Sequence, residues 1–226
     1  MKTILPLLAL LALSPIGYSA PAPKPNIIFI LADDLGTGDV SCYGADNRKT
    51  PQIDQLAARG LRFTHAYTAP LCGPSRACIM TGRYAFRTGG TNQDRIVDWK
   101  SSNEKFTPAF LKPAGYATSI IGKWSQFSFD PAEAGFDDSL RFFASGRYWA
   151  DSAGEDDQKA RKGIYVVNGT TVKQGKKEYL PDTMEQHLFA FIDQHREQLD
   201  EAIAAQARGW TLARMPLIDL TIMRIA

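Results

Sequence analysis

The residues best suited to chemistry lie in the segment Cys72-Gly73-Pro74-Ser75-Arg76. Pro74 favours the start of a helix, so Cys72 is predicted just before a helix amino terminus. The exposed N–H groups and the dipole of a helix amino terminus favour negative charge, which suits an ionised nucleophile or a bound anion. Arg76 adds a planar fork of donors for an anion. A plain thiolate at Cys72 is the alternative nucleophile.

Further charged residues follow two apolar runs. Asp33 and Asp34 come after residues 26–31, and carboxylate oxygens are ligands that Ca²⁺ and Mg²⁺ prefer. Lys123 follows residues 117–122 and offers a positive charge for an anion. Taken alone, an aspartate pair of this kind is usually a solvated turn, and a lone lysine is usually on the surface. Ligands bind at the carboxyl ends of strands in open α/β sheets, so we expect these groups to act together.

The elements that must position these residues alternate between strands and helices. The runs at 26–31 and 117–122 predict buried parallel strands. Helices are predicted to open at Thr50-Pro51, at Pro74 and at Thr107-Pro108. This order predicts an α/β fold with a mainly parallel sheet flanked by helices.

Three more elements complete the prediction. Residues 61–68 alternate in a way that indicates a strand. Residues 164–172 contain Asn168-Gly169, which suits the tight turn of a β-hairpin. Asp182 and Glu185 have the spacing of a capping box, which predicts a helix start. The apolar face of that helix is predicted to contain Met184, Leu188, Phe191 and Ile192.

The composition is that of a globular protein, with 226 residues of which 44% are hydrophobic and 22% charged. A net charge of +2 is too small to indicate binding to nucleic acid. Lys2, a short apolar run and the small residues around Ala20 predict a signal peptide at residues 1–22 rather than a membrane span. The chain is therefore expected to be exported, to the periplasm or the extracellular space.

Cysteine usage leaves two interpretations open. Cys42, Cys72 and Cys78 are an odd number in an exported chain, which excludes complete internal pairing. Either Cys42 and Cys78 form a bridge, or none forms, and the remaining thiol is free. Alternatively, Cys72 is kept out of disulfides because it is chemically modified, which the motif around it favours.

These segments resemble the type I, formylglycine-dependent sulfatases, and the resemblance is arylsulfatase-like. Residues 72–82 resemble the signature whose cysteine is oxidised to formylglycine. Residues 25–36 resemble the opening strand with its calcium-binding aspartates, and residues 115–124 the second signature, whose lysine contacts sulfate. Residues 50–60 and 135–137 resemble two further recurring segments. The resemblance covers about residues 25–198 and implies an alkaline-phosphatase-like α/β fold.

The resemblance also implies roles. Cys72, Arg76 and Lys123 would be catalytic in sulfate-ester hydrolysis, and Asp33, Asp34 and Cys72 would bind Ca²⁺ or Mg²⁺. The hydrate of formylglycine at Cys72 would attack sulfur, Arg76 would hold that hydrate and Lys123 the sulfate. The implied partners are a formylglycine-generating maturation enzyme and a sulfated small molecule or sulfated glycan.

Two features depart from the family pattern. Ser125 stands where the family has a histidine, and serine does not replace imidazole as a general acid near neutral pH. The family's remaining metal ligands are expected after residue 198, whereas residues 199–226 show no family pattern. We therefore expect a truncated or frame-shifted chain, with an incomplete sheet, poor solubility and a tail at 199–226.

These departures keep two other functions open. One is an inactive fragment or a remnant that binds sulfated glycans, which Ser125 favours. The other is a hydrolase of phosphodiesters or phosphonate monoesters, which can share the cysteine signature. Four residues beyond that signature either line a substrate pocket or are ordinary core and surface: Tyr84, Phe86, Arg87 and Arg95.

Overall fold

The computed structural model describes residues 25–143, 148–149, 163–195 and 218–223. Its strands are β1 (Ile27–Ala32), β2 (Thr118–Lys123), β3 (Asp138–Phe142), β4 (Ile164–Val167), β5 (Thr170–Lys173) and β6 (Ile218–Met223). They form one six-stranded sheet in the order β1-β6-β2-β3-β4-β5. The predicted signal peptide at residues 1–22 lies outside the described residues.

Strands β1, β2 and β3 run in the same direction. β2 and β3 are parallel neighbours, while β6 lies between β1 and β2 and is antiparallel to both. Met223 pairs with Ile27 on one side and with Thr118 on the other, so β1 and β2 are level with each other. The sheet is thus mixed where a mainly parallel one is predicted. Residues 218–223, in the tail to which the sequence assigns no element, form β6 inside this sheet.

The helices are α1 (Pro51–Arg59), α2 (Cys72–Thr81), α3 (Ala85–Thr88), α4 (Gln93–Val97), α5 (Thr107–Leu111) and α6 (Leu180–Gln194). The predicted helix starts at Thr50-Pro51 and Thr107-Pro108 are confirmed. Helix α2 begins earlier than predicted, so Cys72 is its first residue rather than a residue before it. Helix α6 likewise begins at Leu180, before the predicted Asp182.

Two clusters of buried residues hold these elements together. The first packs α6 on the sheet, and the apolar face predicted for this helix is confirmed: Met184, Leu188, Phe191 and Ile192 are buried with Ile121, Leu140 and Phe142. The second is an aromatic cluster that supports α2. It contains Ala77, Met80, Ile96, Trp99, Phe106, Trp124, Phe127, Phe129 and Phe136. The site residues of β2 and α2 therefore stand on packed cores.

The strand predicted at residues 61–68 is wrong, whereas the predicted hairpin is confirmed. Residues 61–68 form a loop in which Phe63 is exposed and accepts a hydrogen bond from the Tyr43 hydroxyl. Its backbone is thus held by side chains rather than by a neighbouring strand. In the hairpin, Asn168 and Gly169 have φ of 47° and 82°, as a type I′ turn requires.

Within the described ranges, no helix has the length and apolar character needed to span a membrane.

Candidate active site

The two aspartates after β1 have different environments. β1 ends at Ala32, and Asp34 has φ of 56°, in the left-handed region that aspartate tolerates better than most residues. Asp34 is exposed, whereas Asp33 is partly buried. The turn therefore presents only one of the two carboxylates to the neighbouring elements.

Asp33 holds two buried cations that come from distant parts of the chain. Its Oδ1 accepts a hydrogen bond from Arg76 Nη2 at 3.0 Å, and its Oδ2 accepts one from Lys123 Nζ at 2.9 Å. The Arg76 side chain is 3% exposed and that of Lys123 10%. The carboxyl ends of β1 and β2 are thus joined to α2 by charge-assisted hydrogen bonds.

The charges of this group reinforce one another. Burial alone would raise the pKa of Asp33, but hydrogen bonds and positive charge from Lys123 and Arg76 outweigh it and lower that pKa. Burial would likewise lower the pKa of Lys123, but Asp33 outweighs it and raises that pKa. Both groups are charged at neutral pH. One carboxylate thus holds two cations at the carboxyl ends of β1 and β2.

Cys72 lies beside this charged group. Its Sγ is 3.5 Å from Lys123 Nζ, and the side chain is partly exposed. Cys42, Cys72 and Cys78 are all free thiols. A partly exposed thiol next to an ammonium group at a helix amino terminus is in the environment of a reactive cysteine.

The structure adds one residue that the sequence did not indicate. Gln93 Oε1 accepts a hydrogen bond from the Gly73 N–H at 3.2 Å and lies 3.8 Å from Cys72 Sγ. Gly73, next to the candidate nucleophile, indicates that another group comes close to the backbone there. Nothing in the local sequence identifies that group as Gln93, which lies on a separate helix.

The predicted metal ligands do not form a complete set in the described residues. No group of three or more His, Cys, Asp and Glu residues is arranged there to hold a metal ion. Asp34 is exposed, and both oxygens of Asp33 are engaged by Arg76 and Lys123. Ca²⁺ takes six to eight oxygen ligands. The donors present at this turn do not fit such an ion without the displacement of those cations.

The four residues considered as pocket candidates lie on α3, just before it and on α4. Tyr84 and Phe86 are exposed and stack with ring centroids 5.5 Å apart. Arg87 lies over the Phe86 ring at 5.9 Å, and Arg95 is exposed on α4. They form a surface of rings and guanidinium groups, and their role in substrate binding stays a prediction.

Known proteins with similar sequences include several sulfatases. The family model described as Sulfatase matches residues 25–214. Arylsulfatase D of Homo sapiens is 50% identical over 117 residues, which cover 48% of this chain and 20% of that protein. N-acetylgalactosamine-6-sulfatase of Homo sapiens is 40% identical over 164 residues, which cover 66% of this chain and 30% of that protein. The chain thus spans less than a third of the length of these relatives.

Solved structures agree with the sequence comparisons. The crystal structure of Ps i-CgsB superposes with a TM-score of 0.67 and 34% identity, over 76% of this chain and 42% of that chain. Its complex with k-i-k-neocarrahexaose gives 0.63 and 30%, over 73% and 40%. The predicted alkaline-phosphatase-like α/β fold is confirmed, and the described residues form part of it. With most of its length matched by the family model, the chain belongs to the sulfatase family, the sulfuric ester hydrolases.

Proposed function

We propose that this chain carries the nucleophile and the anion-binding cations of an arylsulfatase-like sulfuric ester hydrolase. The observation that carries the proposal is the position of Lys123. Its Nζ lies 2.9 Å from Asp33 Oδ2 and 3.5 Å from Cys72 Sγ. Lys123 thus contacts two residues that are far from it and from each other in the sequence. A sulfate ester bound beside Cys72 would meet an ammonium group held in place by a buried carboxylate.

Cys72 is proposed to be converted by a formylglycine-generating maturation enzyme. Formylglycine supplies an aldehyde whose hydrate is an oxygen nucleophile towards sulfur. Lys123 would orient the sulfate oxygens, Arg76 would hold the hydrate, and each would stabilise negative charge as it develops. Asp33 fixes both cations before substrate arrives, so little reorganisation is needed when the charge develops.

Protonation of the leaving alcohol is the step that the identified residues support least. The family's histidine position holds Ser125. The chain's histidines make contacts elsewhere: His65 with Thr64, His187 with Asp138, and His195 with the Phe191 carbonyl. We infer that esters of acidic phenols are better substrates than esters of sugars, because a phenolate leaves without a proton.

Calcium binding stays a separate prediction in this proposal. The described donors do not form a Ca²⁺ site. The roles proposed for Cys72, Lys123 and Arg76 do not involve a metal ion. We also keep the prediction that residues 1–22 direct export. An exported chain would meet both the maturation enzyme and a sulfated substrate.

Paired turnover assays test the proposal. The full 226-residue chain is co-expressed with a formylglycine-generating enzyme and supplied with 4-nitrophenyl sulfate and with an aryl phosphonate monoester, with Cys72→Ala as control. We expect turnover of the sulfate that Cys72→Ala abolishes. Turnover of the phosphonate ester alone would instead assign a phosphonate monoester hydrolase. Retention on a sulfated polysaccharide without any turnover would assign a glycan-binding remnant and overturn the proposal.

A further inference from the structure

Helix α2 lacks a cap from its own chain segment. Its N-cap residue is Leu71, whose side chain makes no capping hydrogen bond. The first N–H groups of any helix have no partner inside the helix and need one from elsewhere. In α2 those groups belong to the residues around the candidate nucleophile, so whatever caps this helix also sets the geometry at Cys72.

Gln93 on α4 supplies this cap from another element. Its Oε1 accepts the Gly73 N–H at 3.2 Å and reaches to 3.8 Å from Cys72 Sγ. Since the sulfur contact is long, the bond to the Gly73 backbone is the stronger of the two. One amide oxygen thus contacts both the first and the second residue of the helix.

Gly73 and Gln93 fit each other as a pair. A Cβ on Gly73 would lie 2.2 Å from Gln93 Oε1 and 2.8 Å from its Cδ, which is far inside van der Waals contact. A side chain on residue 73 would therefore have to displace the amide of Gln93.

Gln93 is itself anchored independently of Cys72. The side chain of Asn92 caps α4 by accepting the Arg95 N–H at 2.9 Å. Ile96 and Trp99, one on α4 and the other just after it, are buried in the aromatic cluster. Helix α4 is thus a fixed support, and Gln93 transmits its position to the first turn of α2.

We propose that Gln93 is a positioning residue that holds the first turn of α2 and thereby directs the Cys72 side chain towards Lys123. Its carbonyl oxygen occupies the N–H group that an anion would otherwise take at this helix terminus. A bound sulfate would then be held from the side of Lys123 and Arg76. This consequence for substrate rests on the proposed function, whereas the positioning of Cys72 does not.

The test uses the thiol form of the full chain, expressed without a maturation enzyme. Gln93→Met keeps the length of the side chain and removes the carbonyl acceptor, while Gln93→Glu keeps an acceptor oxygen. The readout is the rate of alkylation by iodoacetamide, measured by mass spectrometry on the tryptic peptide 63–76, which contains only Cys72. Cys78, in the peptide 77–83, is the internal reference.

We expect Gln93→Met to alkylate at Cys72 at least about threefold slower, the factor for the loss of one ordinary hydrogen bond, with Cys78 unchanged. The reason is that the thiol is then no longer held beside the Lys123 ammonium group, the environment of a reactive cysteine. Gln93→Glu should be no faster than the parent. An unchanged or faster rate at Cys72 in Gln93→Met, or an equal decrease at Cys78, would overturn the proposal.

A second pair of variants separates positioning from simple space filling. Gly73→Ala should displace the Gln93 amide with little change in melting temperature, because that amide is the far end of a flexible side chain. Adding Gln93→Ala gives the new Cβ room. Cys72 should alkylate slowly in both variants, and a parental rate in either folded variant would contradict a positioning role. Absence of sulfate-ester turnover in the parent would end the proposed function and leave these alkylation results to decide on Gln93.

Discussion

Two carboxylates join elements at opposite ends of the strands, and their partners differ. Asp33, beyond the carboxyl end of β1, accepts from two cations, Arg76 and Lys123. Asp138, at the amino end of β3, accepts from neutral Ser119 and Asn168, and contacts His187 Nε2 at 2.9 Å. The partners of the first carboxylate are cations, and the second belongs to a network in which both oxygens are shared among polar side chains.

Both environments stabilise a carboxylate, but only that of Asp33 lies beside the candidate nucleophile. Burial would raise the pKa of Asp138, yet hydrogen bonds from His187, Ser119 and Asn168 outweigh it and lower that pKa. The pKa of Asp33 is also lowered, and there the cations do it. The end where two cations lie beside Cys72 is the candidate functional end. The other end ties β2, β3, the hairpin and α6 together.

The largest expected effect comes from removing the carboxylate between the two cations. Asp33→Asn keeps the shape and removes the negative charge that both Arg76 and Lys123 contact, so we expect a loss of about 3–5 kcal/mol in the free energy of unfolding. Urea denaturation measures it. The matched control is Asp39→Asn, which breaks the exposed pair with Arg48 and should cost less than about 1 kcal/mol. Equal losses in the two variants would show that Asp33 contributes no more to stability than an exposed carboxylate does.

A smaller effect is expected at the other end. Asp138→Asn keeps an acceptor oxygen for Ser119 or Asn168 and loses the charge that His187 faces, so we expect a loss of about 1–3 kcal/mol. The same urea experiment measures it, with His187→Gln as a companion variant. A loss larger than that of Asp33→Asn would reverse the comparison.

Acid sensitivity should involve both ends. A carboxylate whose pKa is lowered by folding adds stability that is present above its unfolded pKa of about 3.9 and is lost as pH falls through the folded value. Asp33 and Asp138 both have lowered pKa values, so the melting temperature should fall as pH drops below about 5. The fall should be shallower in Asp33→Asn and in Asp138→Asn than in the parent. Parallel curves from pH 3 to pH 7 would show that neither group is linked to folding.

The smallest expected effect is the binding of free sulfate beside Lys123. Sodium sulfate should stabilise the parent by about 1 kcal/mol more than it stabilises Lys123→Met, because a ligand that binds only the folded state adds to stability. General salting-out by sulfate acts on both proteins and cancels in the difference. The measurement is the melting temperature in sulfate against chloride at equal ionic strength. An equal gain in the two proteins would argue against an anion site at Lys123.

The features of the site that depend on local pattern could be predicted from the sequence. The apolar runs before Asp33 and Lys123 locate two strand ends, and the motif at Cys72 locates a helix start to within two residues. Their convergence follows from the rule that strands of one direction share an edge. The contacts of Asp33 with two cations could not be predicted in this way, because they depend on distances between residues that the sequence does not contain.

The features that escape prediction depend on pairing between distant segments. Gln93 meets Gly73 only because α4 packs beside α2. Residues 61–68 alternate like a strand and have no strand to pair with among the described residues, while residues 218–223 lie outside the family match and do pair, with β1 and β2. Alternation shows that a segment is able to form a strand, and a free neighbour decides whether it does.

The most direct test of the account is the chemical state of Cys72 in the protein purified from its native host. Trypsin releases residues 63–76 as one peptide with a single cysteine, so mass spectrometry identifies its modification without ambiguity. The account predicts formylglycine at Cys72, with Cys78 in the neighbouring peptide left as cysteine. An unmodified thiol at Cys72 in every copy would contradict it, because the nucleophile that Lys123 and Arg76 are proposed to serve would not exist.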